Sequence, residues 1–188
     1  MSACNFYVDL RIHPWFFQAH QGQTPPVVAW VGRALGILHG AFSESEKAFP
    51  IAFPEYLVES TRQLGRTIRV FGATAEELES LVRSFRGHSW VQENVVVAEV
   101  KPVPAKVKYW AVFSRERWPH RRRSAEAYRA LCERVERLPS VRMVSKSNGN
   151  PFVLAIAKSS AAWDKEVLGQ LDGFGLSQKT APVPVPCF

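Results

Sequence analysis

The sequence predicts an α+β fold in two parts, and three observations lead there. Apolar residues follow strand and helix periods in turn, in the order β-α-β-β-α-β, up to about residue 100. Pro102 and Pro104 then break the pattern. Beyond them lies the whole positive excess of the chain: residues 101–150 hold 13 Lys and Arg against 4 Asp and Glu, and the rest holds 11 against 13. The element order is the ferredoxin-like (RRM-like) one. Residues 1–101 therefore read as a ferredoxin-like domain, and residues 102–188 as an α/β domain with an exposed arginine-rich helix.

Each element has its own signal. Phe6, Val8, Leu10 and Ile12 alternate with Tyr7, Asp9 and Arg11, the period of a half-buried strand. Pro25 and Pro26 open a helix through about Phe42, with Val31, Leu35, Leu38 and Phe42 on one face. Phe49–Phe53 is a short apolar strand stopped by Pro54, and Thr67–Phe71 is another. Thr74 with Glu77 forms a capping box for a helix through about Phe85. Val91–Val100 reads as the closing strand. After the prolines, Tyr109–Ser114 is a candidate strand. The next helix has an apolar stripe of Tyr128, Leu131, Cys132, Val135 and Leu138. Asn148-Gly149 turns a hairpin between residues 141 and 157. The tail from Gly173, punctuated by glycine and proline, reads as an extended strap.

Bulk composition excludes several classes. An apolar content of 46% and six tryptophans suffice for a core. Cys4, Cys132 and Cys187 are scattered and odd in number, so neither a zinc site nor a disulfide framework is expected, in keeping with a reducing compartment. The first twenty residues lack a basic start followed by an apolar run, and no stretch has membrane-spanning length. A soluble cytoplasmic protein is expected, with no membrane association and no cofactor. HxH, HExxH and phosphate-loop motifs are absent, as is a dinucleotide fingerprint.

Ser114–Leu138 holds eight arginines and no lysine. A solvated, salt-bridged face would pair Arg122 and Arg129 with Glu126, and Arg137 with Glu133. Eight arginines face only four glutamates in that stretch, so a polyanion is the better reading. Arginine favours bidentate contacts to phosphate and guanine edges. Elsewhere, Gly32, Gly36 and Gly40 share one helix stripe with His39. Glycine costs about 1 kcal/mol against alanine inside a helix, so close approach of another backbone is expected there. His39 is then either a proton-transfer group or a satisfied boundary histidine. Ser145 and Ser147 would share one strand face, as a polar surface or as paired hydroxyls. Phe152 is either core or a base-stacking platform. His13, His20, His88 and His120 sit at strand ends, loops or helix ends and carry less weight.

In this order the pieces resemble a known family. They are FYVDLRIHP; LHGAF with His39; the block from FPEYLVES to ELESLV; SRER before the arginine run; VSKSNGNPF; and the terminal GFGLS. Together they resemble the CRISPR repeat-processing endoribonuclease of subtype I-F systems across nearly the whole chain. The resemblance implies a metal-independent enzyme that cuts precursor CRISPR RNA beside a repeat hairpin and stays on it as a subunit of a multi-protein surveillance complex. It implies that His39 is the catalytic histidine, that Ser145 helps hold the attacking 2′-hydroxyl and that Ser147 contacts a nearby phosphate. Phe152 would stack at the foot of the stem. Arg115 and Arg117 would read bases there, and Arg121, Arg122, Arg123, Arg129, Arg134 and Arg137 would grip phosphates. Two positions depart from the family pattern. Arg117 stands where glutamine is common, and Phe174 where a tyrosine usually lies beside the histidine. The residues alone also admit a non-catalytic hairpin-binding subunit or a general RNA-binding module.

Overall fold

The structure is a computed structural model describing residues 4–13, 27–58, 62–118, 124–145, 148–162 and 169–188. Its strands are β1 (Phe6–Ile12), β2 (Ile51–Ala52), β3 (Thr67–Gly72), β4 (Val95–Val97), β5 (Lys101–Pro102), β6 (Tyr109–Glu116), β7 (Ser140–Val144), β8 (Pro151–Ala161) and β9 (Val185–Cys187). Its helices are α1 (Val27–Glu44), α2 (Ala75–Arg86), α3 (Ser89–Asn94) and α4 (Ala125–Glu136). They form an α+β fold with two antiparallel sheets. The first has the order β2-β3-β1-β4, with β5 continuing beside β1; the second has the order β7-β8-β6-β9.

Alternation in β1 buries Val8, Leu10 and Ile12, and helices α1 and α2 lie against that strand. On the polar face, Asp9 stands opposite Arg69 of β3 and accepts two hydrogen bonds from its guanidinium, at 2.7 and 2.9 Å. The same guanidinium lies against the rings of Tyr7 (4.7 Å) and Phe188 (4.2 Å), which meet each other edge to face, and this ties Phe188 to the first sheet. Tyr56 reaches the other way, donating its hydroxyl to the Ile156 carbonyl of β8 at 2.9 Å. One apolar cluster runs through both halves, from Val8 and Phe71 to Phe113, Ile156 and Leu176. The two sheets therefore share a core.

Several boundaries differ from expectation. Residues 91–94, read as part of a strand, are helical. His88 caps α3 by accepting from the Trp90 amide (3.3 Å), and buried Trp90 stacks on Trp30 at 5.3 Å. Only Val95–Val97 then pairs with β1. The strand expected over Phe49–Phe53 is reduced to two residues, Ile51–Ala52. Thr74 caps α2 through its hydroxyl, but Glu77 turns away to Lys47 (2.6 Å), so only half of the box forms. Ser124 caps α4 by accepting from the Ala127 amide, so the helix begins beyond the Arg121–Arg123 run, which lies outside the described residues. The strap is partly a strand: β9 pairs with β6, with Pro186 opposite Trp110 at a sheet edge, where a missing N–H is tolerated.

Candidate active site

Helix α1 lies on β7 through its glycine stripe. A Cβ on Gly32 would come within 3.2 Å of the Arg142 carbonyl, and one on Gly36 within 3.5 Å of the Met143 methyl. Advancing one helical turn advances the contact along β7, because a turn rises about 5.4 Å and two strand residues about 6.6 Å. One turn further on, Gly40 instead lines a cleft with Ser84, Gly87 and His88. His39 is half-buried, and its partner is the tail loop 172–176.

Two glycines let that loop sit where it does. Gly175 has φ +77, and a side chain there would run into the Phe49 carbonyl. Its own carbonyl accepts from the Ile51 amide (3.2 Å), pinning the loop to β2. Gly173 lacks the Cβ that would lie 2.8 Å from His39 Cε1, so the imidazole can close on the loop. His39 Nδ1 lies 2.5 Å from the Gly173 carbonyl oxygen, and the Phe174 ring stacks on the imidazole at 4.4 Å and 26°. A carbonyl can only accept, so Nδ1 carries the hydrogen, and Nε2 is the nitrogen left to gain or lose a proton.

Around this pair a second row closes in. Phe152 of β8 approaches Phe174 at 6.2 Å, and the Arg115 guanidinium lies 5.4 Å over the Phe152 ring. Asp172 uses one carboxylate oxygen to accept from both the Phe174 amide (2.9 Å) and the Leu176 amide (3.0 Å). Burial raises the Asp172 carboxyl above its ordinary range, against the opposing pull of those amides and of Arg115 and His39. Burial also lowers the Arg115 guanidinium, helped by Arg117 and opposed by Asp172. Arg115 Nε is buried and makes no hydrogen bond among the described residues.

The structure thus gathers His39, Phe174, Phe152 and Arg115 in one cluster. Ser145 is not in a strand, as its pairing with Ser147 on one face required. It lies in the hairpin loop, where its amide donates to the Asn150 carbonyl and its carbonyl accepts from the Gly149 amide, both at 2.9 Å. The turn itself is as expected, with Gly149 at φ +69. Ser147 lies outside the described residues. Arg117 follows β6 and is exposed, next to the exposed Trp118. Arg129 and Arg134 are on α4; Arg137 is its C-cap residue. Arg129 and Arg137 are exposed. Arg134 is turned to the buried carboxylate of Glu116 (3.6 Å), which Lys179 of the tail also contacts. Sequence reasoning missed Asp172. Its signal was Asp-Gly, a turn dipeptide, but only the fold shows which amides the carboxylate holds.

A family profile described as CRISPR-associated protein (Cas_Csy4) matches residues 29–188, a span that contains the whole cluster. The chain belongs to that family. Comparison with curated proteins gives no match. As a Csy4-type protein of subtype I-F, the chain is a CRISPR-associated endoribonuclease of precursor CRISPR RNA, and the family binds repeat RNA. Among the described residues no helix is long and apolar enough to cross a membrane, and no three His, Cys, Asp or Glu gather as a metal site.

Proposed function

We propose that this Csy4-type protein cuts precursor CRISPR RNA at the foot of a repeat stem-loop without a metal ion. A 2′-hydroxyl attacks the adjacent phosphorus and loses its proton, and the 5′-oxygen leaves and gains one. The products are a 2′,3′-cyclic phosphate and a 5′-hydroxyl. RNA supplies the nucleophile, so the protein needs only alignment and a proton-transfer group, worth about 10²–10⁴-fold. His39 is that group. The observation carrying this reading is the Nδ1 contact with the Gly173 carbonyl, which frees Nε2 for the proton. Ser145, in the hairpin loop that follows β7, holds the nucleophile. Phe152 stacks below the stem, and Arg115 and Arg117 read bases at its foot.

The remaining arginines, from Arg121 to Arg137, hold the stem's phosphates together with Ser147. A-form RNA hides its base edges in a narrow groove, so phosphate contacts carry most of the affinity. The strand order β2-β3-β1-β4 supports reading residues 1–101 as a ferredoxin-like domain that carries His39, with residues 102–188 as the hairpin-binding domain. The protein works in the cytoplasm and remains on the mature CRISPR RNA as a subunit of a surveillance complex. A test uses purified protein, repeat RNA and a chelator. Cutting should persist in EDTA, and His39→Ala should abolish it while binding survives. Loss of cutting in EDTA, or full cutting by the alanine variant, refutes the mechanism.

Phe174 favours a second reading. Lacking a hydroxyl beside His39, the chain could be a pure hairpin-binding subunit. A 2′-deoxy nucleotide at the scissile position separates the two: it blocks the enzyme and leaves a binder unaffected.

A further inference from the structure

Asp172 is the carboxylate beside the cluster. It is half-buried, it lies within electrostatic reach of both His39 and Arg115, and it is bonded to the loop that holds the imidazole. Four hydrogen bonds define that loop. The Asp172 carboxylate takes the Phe174 and Leu176 amides, the Asp172 amide donates to the Leu176 carbonyl at 2.7 Å, and the Gly175 amide donates to the Asp172 carbonyl at 3.0 Å. Between the two amides that the carboxylate holds lies the left-handed Gly175, and just before them lies Gly173, whose carbonyl meets His39.

We propose that Asp172 is a positioning residue for the cleavage reaction: its carboxylate shapes the 172–176 turn so that the Gly173 carbonyl meets His39 Nδ1 and the Phe174 ring covers the imidazole face. The inference rests on the reading of His39 as the proton-transfer group. A neutral histidine has two tautomers, and the hydrogen bond at one nitrogen decides which nitrogen is basic. Here the deciding partner is a backbone carbonyl in a five-residue turn with no regular secondary structure. Such a turn is held by local hydrogen bonds, and one side-chain oxygen accepting two amides is the only side-chain brace within it among the described residues. Partial burial works against its ionisation, while the two amides, Arg115 and His39 favour the carboxylate. Arg115 and His39 face the same carboxyl, so the brace joins the proton-transfer group to the arginine that flanks Phe152.

The test compares full-length wild type, Asp172→Ala and Asp172→Asn. Three readouts are taken: single-turnover cleavage of a synthetic repeat stem-loop from the protein's own CRISPR array, affinity for that RNA, and the imidazole ¹⁵N spectrum of the free protein. Alanine removes both acceptor bonds. Cleavage should fall about tenfold or more. Affinity should stay within about twofold because the exposed arginines are untouched. The His39 ¹⁵N resonances should move from an Nδ1-protonated pattern towards a mixture of tautomers. Asparagine keeps an acceptor oxygen and should restore the pattern, with a rate within about threefold of wild type.

A merely structural role would lower the melting temperature but leave the spectrum and the rate of folded protein alone. A folded alanine variant with the wild-type spectrum and rate overturns the proposal. If that variant does not fold, Asp172→Ser, whose hydroxyl makes the same turn more weakly, carries the same expectation with a smaller loss. The wild-type spectrum and rate in it overturn the proposal equally. Full cleavage by His39→Ala would refute the proton-transfer reading, while the effect of Asp172→Ala on the His39 spectrum would still report whether the brace positions the ring.

Discussion

Gly173→Ala places a single methyl group against the imidazole. The new Cβ would lie 2.8 Å from His39 Cε1 and 3.2 Å from Nδ1. Carbon atoms in contact sit about 3.5–4.0 Å apart, so the ring must retreat by about 0.7–1.2 Å or rotate away. The methyl also crowds the contact between Nδ1 and the Gly173 carbonyl, now 2.5 Å. A misplacement of about 1 Å can cost ~10²-fold in rate, equivalent to about 2.7 kcal/mol in the barrier. The fold should hardly notice. Gly173 is exposed and its φ lies outside the left-handed region, so the stability change should be within about 0.5 kcal/mol. The assay is single-turnover cleavage of repeat RNA at saturating protein, with affinity and melting temperature measured alongside. Cleavage should fall about a hundredfold with affinity and melting temperature unchanged. A folded variant that cleaves within about threefold of wild type would show that the imidazole does not depend on this contact, and the argument from Nδ1 would fail.

Other expectations follow from the same geometry. Phe174→Tyr should change cleavage by less than about threefold, since the backbone already holds the imidazole, whereas Phe174→Ala should cost about tenfold and lower stability by about 1–2 kcal/mol; rates and urea melts check both. Arg129→Ala and Arg137→Ala should each reduce the slope of log affinity against log salt by about one. Arg134→Ala should reduce it less, because that guanidinium is turned to Glu116. The double variant Arg134→Ala with Lys179→Ala strands the buried Glu116 carboxylate and should cost about 3 kcal/mol, more than the sum of the singles, in a double-mutant cycle. Asp172→Asn should alter the pH dependence of stability. The Asp172 carboxyl is raised in the folded state above its ordinary 3.8, so the wild type loses stability as pH rises through the folded value. Asparagine does not titrate, so its melting temperature relative to wild type should climb as pH rises above 3.8. A flat difference would refute the burial argument.

What could be read from the chain was whatever a local pattern determines. Alternation along β1, the stripe on α1, the Thr74 cap and the Asn148-Gly149 turn each rest on residues close in sequence, and each formed. The misreadings share a cause. Residues 91–94 have a composition that suits strand or helix, and the choice was made by His88 capping the chain and by Trp90 finding Trp30, some sixty residues away. Ser145 and Ser147 looked like one strand face because strand pairing ends were set by the hairpin register, with Val144 opposite Pro151. The arginine run was legible as charge, but not which partners the protein itself supplies: Arg134 turns to a glutamate on β6, while Arg129 bonds back to the Ala125 carbonyl of its own helix. His39 could be singled out by its glycine stripe. Asp172 could not, because its importance lies in a turn closed by two amides and in an imidazole that arrives from 134 residues away.

Phenylalanine at 174, where the resemblance implies a tyrosine, then has a physical resolution. A tyrosine at that position combines a ring that packs with a hydroxyl that can bond. Here the two tasks are divided: the Phe174 ring covers the imidazole at 4.4 Å, and the neighbouring Gly173 carbonyl takes the hydrogen of Nδ1. A carbonyl cannot rotate away as a hydroxyl can, so the tautomer is fixed as firmly as the turn is. The turn in turn depends on the Gly175 conformation and the Asp172 carboxylate. Losing one hydroxyl therefore need not mean losing the enzyme. It moves the requirement for orientation from a side chain to a loop, where Gly173→Ala and Asp172→Ala should matter more than exchanging Phe174 for tyrosine.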